Sequence, residues 1–183
     1  MNYIKWLKSV GCNTENIKLD KLEMQKLAVP LDNPGTEKIR LVNRIVLHHS
    51  ATLTGNAACF RVLHRALNKW NDIGYHYVVG NGTISGDGEI EEGRQLPFIG
   101  AHAKGANEDS IGICLVGNFN KQEPSEMQLS SLVSLVLELQ KSYSLPERDI
   151  TLHKLVKGSF TECPGSNFIL KEFLFLLNNK ELK

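Results

Sequence analysis

The sequence lacks a strong charge of one sign and a long apolar run, and each absence excludes a class of protein. The 21 basic and 20 acidic residues give a net charge of +1 over 183 residues, so the positive field that attracts nucleic acid or anionic lipid is missing. No apolar stretch approaches the roughly 20 residues that a membrane-spanning helix needs. The first eight residues, MNYIKWLK, do not form the uninterrupted apolar core of a signal peptide. We therefore expect no nucleic acid partner, no membrane span and no signal peptide.

Cysteine is also scarce. Cys12, Cys59, Cys114 and Cys163 are the four in the chain, too few for a disulfide scaffold, and they form no Cys-x-x-Cys pair. Cys59 falls in a predicted helix and Cys114 in a predicted apolar strand, so we expect both to be buried, inert thiols, as free cysteines usually are. The sequence around Cys12 does not indicate a role for it.

Composition and length predict one globular domain with a short extension before it. Hydrophobic residues make up 42% of the chain and charged residues 22%, which is ordinary for a globular protein, and the length suits about one domain. Two prolines and a glycine interrupt regular structure in the segment VPLDNPG at 29–35. We predict an N-terminal extension at 1–38 and one domain at 39–183.

After residue 43 the hydrophobic pattern alternates between short strands and helices. β-branched and aromatic runs predict strands at 45–48, 75–79 and 111–116, and apolar residues three and four apart predict helices at 57–70, from Ser125 and from about Asn167. Ser125 and Gln128 form a capping-box pattern. Asn-Gly and Asp-Gly dipeptides predict a hairpin or winding loop over 77–94. We therefore predict an α/β fold class: a single domain with a central mixed β-sheet covered by helices.

The histidines cluster in the middle of the chain, and a metal site is one explanation. All six lie between residues 48 and 153. His48 and His49 end a predicted strand, where neighbouring side chains point to opposite faces, so only one of them can enter a given site. His153 follows another apolar run, and Cys163 comes ten residues later. Two strand-end histidines and a thiolate are ligands of the kind that catalytic zinc uses. The alternative is that each histidine is structural.

Six sequence blocks, taken in order, resemble one enzyme family. They are VLHHSAT at 46–52, DIGYHY at 72–77, EGR at 92–94, GAHAKG at 100–105, Asn107 with SIGICLVG at 110–117, and His153 with CPG at 163–165. Their order and spacing are similar to those of the zinc-dependent N-acetylmuramoyl-L-alanine amidases, which include phage amidase endolysins and peptidoglycan recognition proteins. The resemblance covers about residues 40–178 and implies the fold of that family.

The resemblance also implies a metal site. One zinc ion per chain would be held by His48, His153 and Cys163. His48 is selected over His49 because the family's ligand stands two residues before the Ser or Thr of the first block. The loop between the second and third ligands is longer here than in the family by a residue or two.

Catalytic and substrate-binding residues are implied in the same way. Tyr75 would face the metal and, with Thr161, donate a hydrogen bond to the substrate oxyanion, a contact whose loss commonly costs ~10²-fold in rate. Phage members carry a lysine where this chain has Thr161, which removes a positive charge. His102 and Lys104 resemble residues of the substrate groove. The group that returns a proton to the leaving amine stays open between zinc-bound water, Tyr75 and Glu162.

The implied reaction is hydrolysis of the amide between N-acetylmuramic acid and L-alanine in peptidoglycan. Zinc would lower the pKa of its bound water toward ~7 and polarise the amide carbonyl. The alternative function is a non-catalytic peptidoglycan-binding module, because some recognition proteins bind without cutting, although those lack the zinc cysteine. We expect peptidoglycan or muropeptides as partners, a monomer, and a protein made in the cytoplasm that acts on the bacterial cell wall after release or delivery.

Overall fold

The computed structural model of the protein describes residues 21–30, 37–39 and 41–179. Most of the predicted extension, together with Cys12, therefore lies outside the described residues. The division into an extension and a domain at residue 38 stays a prediction.

A five-stranded sheet forms the centre of the described residues, in the order β3-β2-β4-β1-β5. The strands are β1 (Arg44–His49), β2 (Tyr77–Val79), β3 (Ile90–Glu92), β4 (Ser110–Leu115) and β5 (Ile150–Leu152). All neighbouring pairs are parallel except β2 and β3, which pair antiparallel, so of the hairpin or winding loop predicted over 77–94 the structure shows a hairpin. The mixed sheet confirms the predicted fold class.

In the part of the chain that the structure describes, four α-helices accompany the sheet: α1 (Lys21–Ala28), α2 (Ala57–Leu67), α3 (Glu126–Tyr143) and α4 (Leu170–Asn179). Among the described residues, none of these helices is long and apolar enough to cross a bilayer. Ser125 and Gln128 form the predicted capping box at the start of α3. By contrast, α2 ends three residues before the predicted Trp70, and α4 begins three residues after the predicted Asn167.

The alternation of side chains along the central strands separates two environments. Ile45 and Leu47 of β1 point into the main hydrophobic core beneath α3 and α4. Val46 and His48 point to the opposite face of the sheet, where Val46 packs in a small cluster with Val156. His48 therefore enters the side of the sheet that α2 and the loops cover.

Helix α1 belongs to the predicted extension, and it packs on α2. Met24 is fully buried there against Cys59 and Val62. The guanidinium of Arg65 donates to the backbone carbonyls of Lys26, Leu27 and Val29, which satisfies acceptors that the end of a helix leaves free.

Cys59 is buried as expected, but it is disulfide-bonded, so the prediction of a free thiol there is wrong.

Candidate metal centre

Three ligand atoms meet where the parallel strands β1 and β5 end. The ligand atoms of His48, His153 and Cys163 all lie within 4.8 Å of one another. His48 is the next-to-last residue of β1, and His153 directly follows β5, its parallel neighbour. The carboxyl ends of parallel neighbours lie at the same edge of a sheet, so this pairing brings the two histidines together although they are far apart in sequence.

The donor set fits zinc. Bonds of about 2.0–2.1 Å to nitrogen and about 2.3 Å to sulfur place the donors of a tetrahedral site roughly 3.5 Å apart. The Sγ of Cys163 lies 3.7 Å from Nδ1 of His48, close to that spacing. Two imidazoles and one thiolate leave a fourth position for water or substrate, as in catalytic zinc sites.

His49 is engaged elsewhere. Its Nδ1 accepts a hydrogen bond from the backbone N–H of Phe119 at 3.1 Å, on the opposite side of β1 from His48. The backbone N–H of His49 donates to the Sγ of Cys163 at 3.4 Å. His49 therefore supports the cysteine through its main chain, while its ring fixes the loop that follows β4.

Burial controls the protonation of the three ligands. It lowers the pKa of His48 well below the ordinary value, and the neighbouring His102 and His153 lower it further. Burial also lowers the pKa of His153. The pKa of Cys163 is raised by burial to about 11, against the smaller lowering effect of the His49 backbone N–H. At neutral pH the imidazoles are neutral and ready to bind a metal, whereas the thiol must lose a proton.

Tyr75 lies beside the first ligand, two residues before β2. Its ring centroid is 5.3 Å from that of His48 and 5.5 Å from that of His64 in α2. Burial, and then the neighbouring Cys114, raise the pKa of Tyr75 well above its ordinary value, and its hydroxyl lies within hydrogen-bonding reach of that thiol. The hydroxyl therefore stays protonated at neutral pH.

Thr161, two residues before Cys163, and Lys104, two residues after His102, are both exposed. The Oγ1 of Thr161 accepts a hydrogen bond from the backbone N–H of Cys163 at 3.1 Å, so its own proton can be donated to another group. Lys104 lies in the loop whose next residue, Gly105, faces the carbonyl of Lys157. Their predicted contacts with substrate stay predictions.

His102 is buried beside the first predicted metal ligand. It is only 7% exposed, and its Nδ1 lies 3.0 Å from Nε2 of His48. The ring of His102 therefore contacts the ring of His48, the first predicted metal ligand. The substrate contact predicted for His102 stays untested.

A buried ion pair holds the loop that carries Tyr75. The Oδ1 of Asp72 accepts from Nε of Arg61 at 2.7 Å and from the backbone N–H of Ile73 at the same distance. Arg94, which is also buried, donates to the carbonyls of Ile73, Asp72 and Ile99. These bonds anchor α2 and the loop before β2 to one another, which fixes the position of Tyr75.

Sequence reasoning missed two neighbours of Tyr75. His64 was given no role, and its Nδ1 accepts from the backbone N–H of Gly74 at 3.0 Å. The helical spacing of His64 from Phe60 was the available signal, because residues four apart share a helix face and both rings contact Tyr75. Cys114 is a buried free thiol, as predicted, but its register opposite His48 appears only once the strands are paired.

Comparisons with known proteins identify the family to which the chain belongs. The family described as N-acetylmuramoyl-L-alanine amidase matches residues 38–166. The chain is 33% identical over 131 residues to peptidoglycan-recognition protein LB of Drosophila melanogaster, covering 66% of this chain and 53% of that relative, about half its length. It is 34% identical over 113 residues to the endolysin of Klebsiella phage KP32, covering 56% and 69% of the two chains.

A solved structure is similar over most of the chain. The endolysin amidase LysCS from Clostridium intestinale superposes with a TM-score of 0.67 at 33% identity, covering 84% of this chain and 91% of that one. The blocks that carried the resemblance, the mixed sheet and the family match therefore agree. The chain belongs to the N-acetylmuramoyl-L-alanine amidase family.

Proposed function

We propose that the protein is a zinc-dependent N-acetylmuramoyl-L-alanine amidase that hydrolyses the amide between N-acetylmuramic acid and L-alanine in peptidoglycan. The observation that carries the proposal is the convergence of His48, His153 and Cys163 within 4.8 Å in a chain of this family. A binding module would need neither the thiol nor this spacing. The presence of all three ligands therefore favours catalysis over binding alone.

The residues around the site suit amide hydrolysis. Zinc, when bound by the three ligands, supplies a Lewis acid for the amide carbonyl and acidifies water. The protonated hydroxyl of Tyr75 donates to the carbonyl oxygen as negative charge develops on it, and Thr161 offers a second, neutral donor. Water oxygen bonds to the carbonyl carbon, the carbon–nitrogen bond breaks, and the alanine nitrogen takes a proton. The products are the lactyl carboxylate and the free peptide amine.

A cavity of about 510 Å³ lies beside the loops that precede Tyr75 and His102, lined in part by Trp70, Ala101 and Asn107, and none of the three metal ligands lines it. Lys104 is exposed in the same loop region, where it can meet an anionic group of a muropeptide. We propose that the protein acts on the bacterial cell wall, which it reaches after release or delivery.

The proposal is tested by incubating the zinc-loaded protein with purified muropeptides and identifying the products by mass spectrometry, with and without a chelator. We expect release of the intact stem peptide, abolished by the chelator and restored by zinc. Binding of muropeptides without any cleavage by the zinc-loaded protein would instead show the non-catalytic alternative.

A further inference from the structure

A buried imidazole lies behind the first predicted metal ligand. The Nδ1 of His102 is 3.0 Å from Nε2 of His48, and the other ring nitrogen of His48 faces Cys163. In a hydrogen bond between two ring nitrogens at this distance, one nitrogen carries the proton and the other accepts it. If a neutral His48 carries it on Nε2, its Nδ1 keeps a lone pair for a metal. If His102 carries it, the proton of a neutral His48 is on Nδ1, and that nitrogen is blocked.

The other side of His102 decides between these two arrangements. Its Nε2 lies 3.5 Å from Oγ of Ser110, and the ring is within hydrogen-bonding reach of the Ser110 backbone carbonyl. The Ser110 hydroxyl donates its own proton to the carbonyl of Ala106. Both oxygens of Ser110 thus face His102 as acceptors, so the proton of a neutral His102 belongs on Nε2 and its Nδ1 is an acceptor.

The ring of His102 is held in one position by the backbone around it. A Cβ at Gly112 would lie 2.4 Å from Cγ of His102, and one at Gly100 would lie 2.5 Å from its Cδ2, so these two glycines form the slot that the ring fills. The Oδ1 of Asn107 accepts from the backbone N–H groups of His102 and Ala103 at 2.9 and 2.8 Å. The imidazole therefore meets His48 with a fixed orientation.

We propose that His102 is a positioning residue which, with Ser110, holds His48 in the tautomer whose Nδ1 binds the metal. This role is distinct from the substrate contact predicted for His102, which stays a prediction. It rests on the zinc site proposed above. Hydrogen bonds to the second nitrogen of a metal-ligating histidine typically change metal affinity by 10–100-fold, and the size of the effect here is measurable without substrate.

The first test is zinc affinity, measured by competition with a chelator in three variants whose folding is checked by circular dichroism. We expect His102→Leu, which leaves the Nε2–H of His48 without its acceptor, to raise the zinc Kd about 10–100-fold. His102→Asn should return the Kd to within a few-fold, because the asparagine oxygen lies near the place of Nδ1. His76→Asn is the matched control, because it removes a buried imidazole whose ring centroid lies 5.6 Å from that of His102. It should leave the zinc Kd unchanged.

The second test is the tautomer of His48 in the metal-free wild type, read from nitrogen–proton NMR correlations of the imidazole rings. We expect the proton on Nε2. A zinc Kd for His102→Leu within twofold of the wild type, an equal loss in His76→Asn, or a His48 proton on Nδ1 would each overturn the proposal. If the wild type binds no zinc, the proposed function fails, while the tautomer still tests the positioning role. If His102→Leu does not fold, the tautomer decides.

Discussion

Because His76 is buried, we expect the protein to lose stability in mild acid. One substitution separates the contribution of His76 from that of the other histidines. Its Nε2–H donates to the Phe98 carbonyl and its Nδ1 accepts the backbone N–H of Gly112, both at 2.9 Å. Protonating Nδ1 would break the second bond and place a charge at a site that is 1% exposed. Burial accordingly lowers the pKa of His76 from 6.5 to about 4, although the Phe98 carbonyl opposes this shift.

The sign and size of the effect follow from proton linkage. Between these two pKa values the unfolded chain binds more protons at His76 than the native protein does, so stability rises with pH across that window. The contribution is fully present above the unfolded pKa of 6.5 and is lost progressively toward the folded pKa of about 4. Lowering the pH from about 7.5 to about 5 should therefore cost about 2 kcal/mol through this residue alone.

The assay is urea unfolding at the two pH values, with a chelator present to remove metal linkage, for the wild type and His76→Asn. Asparagine keeps an acceptor for Gly112 but does not titrate. The other buried histidines titrate in both proteins, so their effects cancel in the comparison. We expect the wild type to lose about 2 kcal/mol more than the variant between the two pH values. Equal losses in the two proteins would refute the reasoning.

Three further outcomes are expected. Met24→Ala should lower the free energy of unfolding by about 2–3 kcal/mol, measured by urea titration, and should keep the zinc affinity. Leu22→Ala, at a position 59% exposed, should change the free energy of unfolding little. Equal effects of the two substitutions would show that α1 is not docked. Tyr75→Phe should keep the fold and the zinc but slow muropeptide cleavage ~10²-fold, with Thr161→Ala milder, and unchanged turnover in Tyr75→Phe would remove its role. Because the pKa of Cys163 is raised to about 11, metal binding must release the thiol proton, so zinc affinity should rise about tenfold per pH unit from about pH 7 to 9; affinity independent of pH would contradict this.

Local patterns predicted much of the fold. The twofold alternation in β1 separated His48 from His49, and the capping box of Ser125 and Gln128 located the start of α3. The helix ends were less accurate, because a helix end depends on caps and tertiary contacts as well as on periodicity. Lys69, for example, adopts a left-handed φ of 59° just past the end of α2, and its own side-chain type gives no sign of this.

The candidate site was harder to predict, because its parts are distant in sequence. His48 and Cys163 are 115 residues apart, and His153 comes beside His48 only through the parallel pairing of β1 with β5, so the ligand set came from the family resemblance. His102 lies in a loop without periodicity, and its burial depends on the missing side chains of Gly100 and Gly112. Composition cannot show such a slot. Its position behind His48 therefore became visible only in three dimensions.

The most direct test of the account is the zinc content of purified variants, measured together with muropeptide cleavage. We expect one zinc per chain in the wild type, loss of both zinc and cleavage in His153→Ala and Cys163→Ala, and retention of zinc in His49→Ala, whose ring bonds to Phe119. Full zinc occupancy in His153→Ala or Cys163→Ala, together with loss of zinc in His49→Ala, would contradict the ligand assignment on which the proposed function depends.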